Sequence, residues 1–202
     1  MQRFRFTILA LCLLLLFLGV SDLKTLLQNP EPHRVGIADL DQGEPPGEWL
    51  TIEGGLLDVS EAINMSGSIE IDAFLIPLKK NRDDQQPRVI VETRDPNIVA
   101  TLTNYWFKLD SESAQQEYLA EHPEQFYLQK PVTGMLAGGL VASGNRDNLM
   151  SLAKELGMSV PDDVIFISEG KTPVRWRGYF FTAIGLFGSI QVLRRKKATL
   201  AA

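Results

Sequence analysis

The chain has a single cysteine and only two histidines among its 202 residues. Cys12 cannot form a disulfide within the chain, so the folded part must rest on an apolar core. His33 and His122 stand 89 positions apart with no cysteine beside them, which leaves no histidine or thiolate spacing for a metal. Acidic residues are missing from both ends. All 25 lie between Asp22 and Glu169, whereas of the 20 basic residues two precede that stretch, seven follow it and 11 lie within it. A body so acidic argues against nucleic acid, because phosphate binding needs clustered lysine and arginine. Gly139–Gly144 is followed by Asn145-Arg146 where a phosphate loop needs lysine and Ser/Thr, and no glycine-flanked nucleophile elbow surrounds Ser143. No cofactor or metal is expected. Repeats and low-complexity tracts are also missing, and no known family's motifs are present.

What is present begins with two apolar runs. Thr7–Val20 reads TILALCLLLLFLGV after Arg3 and Arg5. With its flanks it approaches the roughly 20 residues needed to cross a bilayer. A retained anchor over residues 7–23 is the preferred reading, and Gly19-Val20-Ser21 also offers small residues for signal-peptide cleavage. Gly178–Leu193 reads GYFFTAIGLFGSIQVL, with Arg175, Trp176, Arg177 and Tyr179 at its start and Arg194–Lys197 at its end. Snorkelling arginines and interfacial aromatics fit a second transmembrane helix over residues 175–193. Residues 1–6 and the basic tail 194–202 are expected to be cytoplasmic by the positive-inside rule, leaving residues 24–174 as a periplasmic or extracellular domain of a bacterial inner-membrane protein. Gly185 and Ser189 give a small-xxx-small spacing for close packing against the first helix or a second copy.

The domain between reads as strand-rich α+β. Asn29–Pro32 and Asp41–Glu48 are turn-rich connections. Strands are expected at Trp49–Ile52, Leu56–Val59, Ser68–Leu78, Arg88–Thr93, Ile98–Leu109, Pro131–Ala142 and Val164–Ile167. Ser68–Leu78 and Arg88–Thr93 form an antiparallel pair, with Pro77 marking a strand end or sheet edge. Helices are expected at Ser111–Glu121, with Ser113 and Gln116 as a capping box, and from Asn145 to Gly157 with Leu149, Leu152, Ala153 and Leu156 on one face. The sum suggests an antiparallel sheet of OB type.

Three groups of residues are candidates for function. Ser143, Gly144, Asn145 and Arg146 open a helix after a glycine-rich run, where main-chain amides attract an anion. Tyr105, Trp106 and Phe107 cannot all be buried on an extended strand, so one ring would be left for a partner. The acidic loop Asp39, Asp41 and Glu44 lacks the further oxygen ligands that calcium needs and reads as a solvated turn. Asn64-Met65-Ser66 is a glycosylation sequon only in a eukaryotic secretory context. The expected function is that of a non-catalytic, membrane-anchored binding or assembly module whose partner is a protein or a second copy. The alternatives are a membrane-bound enzyme with a non-local active site, or a ligand or ion sensor.

Overall fold

Phe-Leu-Ile-Pro-Leu from Phe74, Val-Ile-Val from Val89 and Ile-Phe-Ile from Ile165 are apolar at every position. Such runs suit strands covered on both faces. In the computed structural model, which describes residues 2–41, 43–65, 73–137, 143–158 and 160–200, all three become strands of one sheet. Two compact units emerge: residues 31–172, and the two chain ends up to residue 30 and from residue 173.

The larger unit contains β1 (His33–Gly36), β2 (Trp49–Glu53), β3 (Leu56–Asp58), β4 (Ile63–Asn64), β5 (Phe74–Lys79), β6 (Val89–Thr93), β7 (Tyr127–Leu128), β8 (Val132–Leu136) and β9 (Ile165–Glu169). Its helices are α2 (Pro96–Phe107), α3 (Glu112–Glu121), α4 (Pro123–Phe126) and α5 (Ser143–Glu155). α1 (Gln2–Gln28) and α6 (Arg175–Leu200) form the other unit. The sheet runs β1-β2-β8-β9-β6-β5-β3-β7, with β4 also paired to β5. β1 with β2 and β6 with β9 are parallel, and the remaining pairs are antiparallel. The domain is therefore α+β around a mixed sheet. This corrects the antiparallel expectation, and the OB-type barrel does not follow from it, because β1 and β7 end the path without pairing to each other.

The period of two along each strand divides the core between the faces. Phe74, Ile76, Leu78, Val89, Val91, Ile165 and Ile167 pack on one side with Ile98 and Leu102 of α2 and Phe126 of α4. Leu75, Ile90 and Phe166 pack on the other with Leu149 and Ala153 of α5. Each such side chain contributes about 1.5–3 kcal/mol by leaving water. Gly134 permits the close approach of β8 to β9: a Cβ there would strike the Ser168 carbonyl and lie 2.8 Å from Ile167 Cγ2.

Ile98–Leu109, expected as a strand, is mostly the helix α2. Asp95 caps it, accepting from the Asn97 amide at 2.9 Å, and Pro96 opens its first turn. Ile98, Leu102, Tyr105 and Trp106 recur at helical spacing and face the core. The β-branched and aromatic composition misled, since tertiary burial of one stripe outweighs weak strand propensity. Asp95→Ala is expected to lower stability by about 1–2 kcal/mol, read from a denaturant titration of the full chain; an unchanged midpoint would deny the cap its role.

Pro77 stands inside the sheet rather than at its edge. β5 pairs β6 from Phe74 to Leu78, while its other side meets β4 at residues 74–75 and β3 at residues 78–79. Pro77, which has no N–H to give, falls in the gap between those two partners. α3 is capped by Ser111, whose hydroxyl accepts from the Ala114 amide at 3.2 Å, two residues before the expected Ser113. α5 ends where Gly157 takes φ +83, as its glycine signalled. The N-terminal part of the expected Ser68–Leu78 strand, Ser66 of the sequon, and residues 138–142 lie outside the described residues.

α1 and α6 pack antiparallel. Asp22 and Leu23 lie against Gly178, Gly19 against Thr182, and Cys12 and Leu16 against Gly185. Arg177 joins Asp22 through two hydrogen bonds of 2.7 and 2.9 Å. Small residues thus face inward. Phe6, Leu11, Leu14 and Phe17 of α1, and Trp176, Phe180, Leu186 and Phe187 of α6, are exposed on the outside. Among the described residues one helix, Phe6–Gln28, is long and apolar enough to cross a membrane, with a mean hydropathy of 2.4.

Candidate functional site

β6 and β9 run parallel and end together, and the carboxyl ends of parallel strands are where open sheets often place ligands. A dense polar cluster occupies that position. Glu92, 4% exposed, accepts from the Ser168 hydroxyl at 2.5 Å. Arg94 and Lys171 reach the same carboxylate at 2.8 and 3.4 Å. Beside it, Lys130 bridges Asp95 at 3.1 Å and Glu169 at 2.9 Å, and the Thr93 hydroxyl donates to Glu169. Three carboxylates thus meet three cations.

Ser168 and Lys171 form the serine–lysine contact that a non-local catalytic centre would use, with Nζ 3.1 Å from Oγ. Two features set the pair apart from an activated nucleophile. Lys171 is a counter-ion of Glu92, and the serine hydroxyl donates to that same carboxylate instead of to a base. Ser168 is also only 3% exposed, so a substrate carbonyl has no approach to it. The cluster clamps β6 to β9.

Its charge state makes it pH-sensitive. Burial alone would raise the Glu92 carboxyl, but the Ser168 hydrogen bond and the charges of Lys171 and Arg94 outweigh it and hold the group below its ordinary value of 4.5. Burial likewise opposes the charge on Lys130, and its bonds to Glu169 and Asp95 outweigh that and raise it above 10.5. A carboxyl depressed on folding stabilises above its unfolded value and loses that contribution as pH falls. A raised lysine stabilises below its unfolded value and loses it as pH rises through the folded one. Thermal unfolding is therefore expected to be flat near neutrality and to weaken below about pH 4.5 and above about pH 10.5. Glu92→Gln should flatten the acid limb; an identical acid limb would mean that Glu92 does not carry it.

A second polar feature is a cleft of about 250 Å³ between the N-terminal end of β9 and the start of α5, with Arg88, Arg146, Glu48 and Asp163 on its walls and Leu136 and Phe166 among its apolar surfaces. Arg88 holds three segments together. It donates to the main-chain oxygens of Leu40 and Gly43 and pairs with Asp163 at 2.7 Å. Arg146 donates to the main-chain oxygens of Asp162 and Val164 at 2.7 and 3.2 Å.

The residues singled out in the sequence fall in separate places. Arg146 lines this cleft, whereas the side chains of Ser143, Gly144 and Asn145 lie outside the described residues. Tyr105 and Trp106 pack inward, Tyr105 on Phe126 at 5.1 Å and Trp106 on Phe74 at 5.5 Å, while Phe107 is 63% exposed. Gly185 lies against the backbone of α1, and the Ser189 hydroxyl is buried. Asp39 accepts from the Gly36 amide at 3.2 Å, covering part of the β1 sheet edge. Sequence reasoning missed the Glu92–Ser168–Lys171 cluster and the presence of Arg88 and Arg146 in one cleft. Neither leaves a local signal, since Glu92 and Ser168 are 76 positions apart. No family model, curated protein or solved structure matches the chain.

Proposed function

We propose that this chain is a membrane-anchored, non-catalytic binding or assembly module, held by a two-helix hairpin that presents its acidic domain outside the cytoplasm to a protein partner. The observation that carries the reading is the inside-out construction of the terminal helices, with glycines in the interface and large apolar side chains outside. A soluble helix pair would bury the latter. α6 is the weaker span by composition, with Ser189 and Gln191 within its apolar run. Its close packing on α1 supports insertion of the two as a pair and favours retention of α1 over cleavage at Ser21. Antiparallel packing also brings Arg3 and Arg5 to the same end as Arg194–Lys197, which suits a cytoplasmic location for both termini in an inner membrane.

The catalytic alternative loses support from the closed charge cluster around Glu92, where the serine–lysine contact is engaged internally. Phe107, the exposed ring at the end of α2, is the point from which to test for a partner. A photo-crosslinker placed at Phe107 of the full chain in its host membrane is expected to give one discrete adduct with a protein or a second copy, and the same probe at exposed Gln116 none. Equal, diffuse labelling from both positions, or no adduct, would overturn the reading.

A further inference from the structure

We propose that the cleft between β9 and α5 binds a small monocarboxylate with a short apolar tail. This inference does not depend on the membrane reading. The two arginines on its walls differ in what they meet. Arg88 is neutralised by Asp163 at 2.7 Å. Arg146 is held by two neutral acceptors, the main-chain oxygens of Asp162 and Val164, and among the described residues no carboxylate lies within ion-pairing distance of it. Asp162, whose main-chain oxygen is one of those acceptors, pairs its carboxylate with Lys154 at 3.0 Å and meets the Arg146 charge only at longer range. Arg146 therefore brings a positive charge, fixed in orientation by its carbonyl contacts, to a cleft wall. A guanidinium keeps several N–H donors in a rigid fork, so two acceptors do not exhaust it.

The cleft's other walls decide what accompanies the charge. Leu136 and Phe166 offer apolar surface, and about 250 Å³ admits a ligand smaller than a drug-sized molecule. Glu48 and Asp163, both among the lining residues, oppose a second negative charge, which selects a monoanion over phosphate. A carboxylate with a short alkyl body of about four or five carbons meets each requirement. The same chemistry occurs in a free short-chain acid and at the C-terminus of a peptide ending in leucine.

The test uses the full chain in phosphatidylcholine nanodiscs, with calorimetric titration and ligand-observed NMR. The probes are 4-methylpentanoate, its amide, inorganic phosphate, and the peptide Gly-Gly-Gly-Leu with a free or an amidated C-terminus. The acid, the free peptide or both should bind at least about tenfold more tightly than their amides, with phosphate weaker still. Binding of the peptide alone would identify a chain terminus as the source; binding of the acid would identify the free molecule. Arg146→Gln should weaken the carboxylate at least about tenfold, and Arg146→Lys less. Glu48→Gln gives an independent reading in a chain that keeps Arg146: it should tighten the carboxylate about threefold and leave the amide unchanged. Equal binding of acid and amide, no binding of either carboxylate, or indifference to both Arg146→Gln and Glu48→Gln would overturn the proposal.

Discussion

Gly185→Leu is expected to force the two terminal helices apart. A Cβ at residue 185 would lie 2.6 Å from the Leu16 amide nitrogen, 2.7 Å from the Cys12 carbonyl oxygen and 2.9 Å from Leu16 Cα. All three are main-chain atoms of a helix, which cannot rotate aside as a side chain can. A leucine there demands a wider spacing, and every contact along the seam weakens as it opens. On the proposed membrane reading little else would hold two such helices together, since lipid tails are as apolar as the side chains. The cost should reach about 1–3 kcal/mol, the usual range for overpacking, and more if the Asp22–Arg177 pair is pulled apart too. Spin labels at the outward positions Leu13 and Leu186, each about half exposed, read the spacing without entering the seam. The distance distribution should be narrow in the native hairpin, and longer and broader in Gly185→Leu. Gly185→Ala should fall between the two. An unchanged distribution would mean that the helices do not meet at Gly185.

Lys79→Ala should be the most damaging single change in the domain. Lys79 Nζ lies 2.8 Å from Asp58 and 2.7 Å from Glu61. The side chains of Lys79 and Asp58 are 4% and 5% exposed, so this is a buried pair, whereas Glu61 is 55% exposed and can turn to water. Removing the lysine strands the Asp58 carboxylate in the interior. Breaking a buried pair from one side costs about 3–5 kcal/mol. A domain of ordinary stability has only about 5–15 kcal/mol in total. The paired change Lys79→Met with Asp58→Leu removes both charges and should recover most of the loss. Recovery would be incomplete, because Asp58 also accepts from the Ser60 amide at 3.2 Å and caps the turn that follows β3. Denaturant midpoints of the three chains decide the matter. A Lys79→Ala midpoint within error of the native one would show that Asp58 is solvated.

The features legible in the sequence were those carried by neighbouring residues. Strand patterns within Ser68–Leu78, Arg88–Thr93 and Val164–Ile167 marked β5, β6 and β9, and the polar loop between the first two signalled their antiparallel pairing. The spacing of Leu149 and Ala153 and the stop at Gly157 marked α5. For α2 the helix signal was also present, in Asp95-Pro96 and the recurrence of Ile98, Leu102 and Tyr105, but the succession Tyr-Trp-Phe drew the reading toward a strand. Pairing between distant strands left no such trace. Nothing around Val89 announces that it lies beside Ile165 in a parallel ladder. The Glu92 cluster and the two-arginine cleft both depend on that ladder and its neighbours, so neither could be read before the fold. Pro77 shows the converse: its residue type carried true information, a missing ladder bond, but the gap between β3 and β4 that accommodates it is a property of the whole sheet.

The presence of a single native cysteine allows the central claim to be tested by labelling. In a Cys12→Ala chain, a cysteine is placed either at exposed Ser113 of the domain or at Thr199 beyond the basic cluster, and spheroplasts are treated with a membrane-impermeant maleimide. Ser113→Cys is expected to react in intact spheroplasts, and Thr199→Cys only after the membrane is permeabilised. A Ser113→Cys chain protected until permeabilisation, or a Thr199→Cys chain labelled from outside, would contradict a hairpin that holds the acidic domain beyond the cytoplasm.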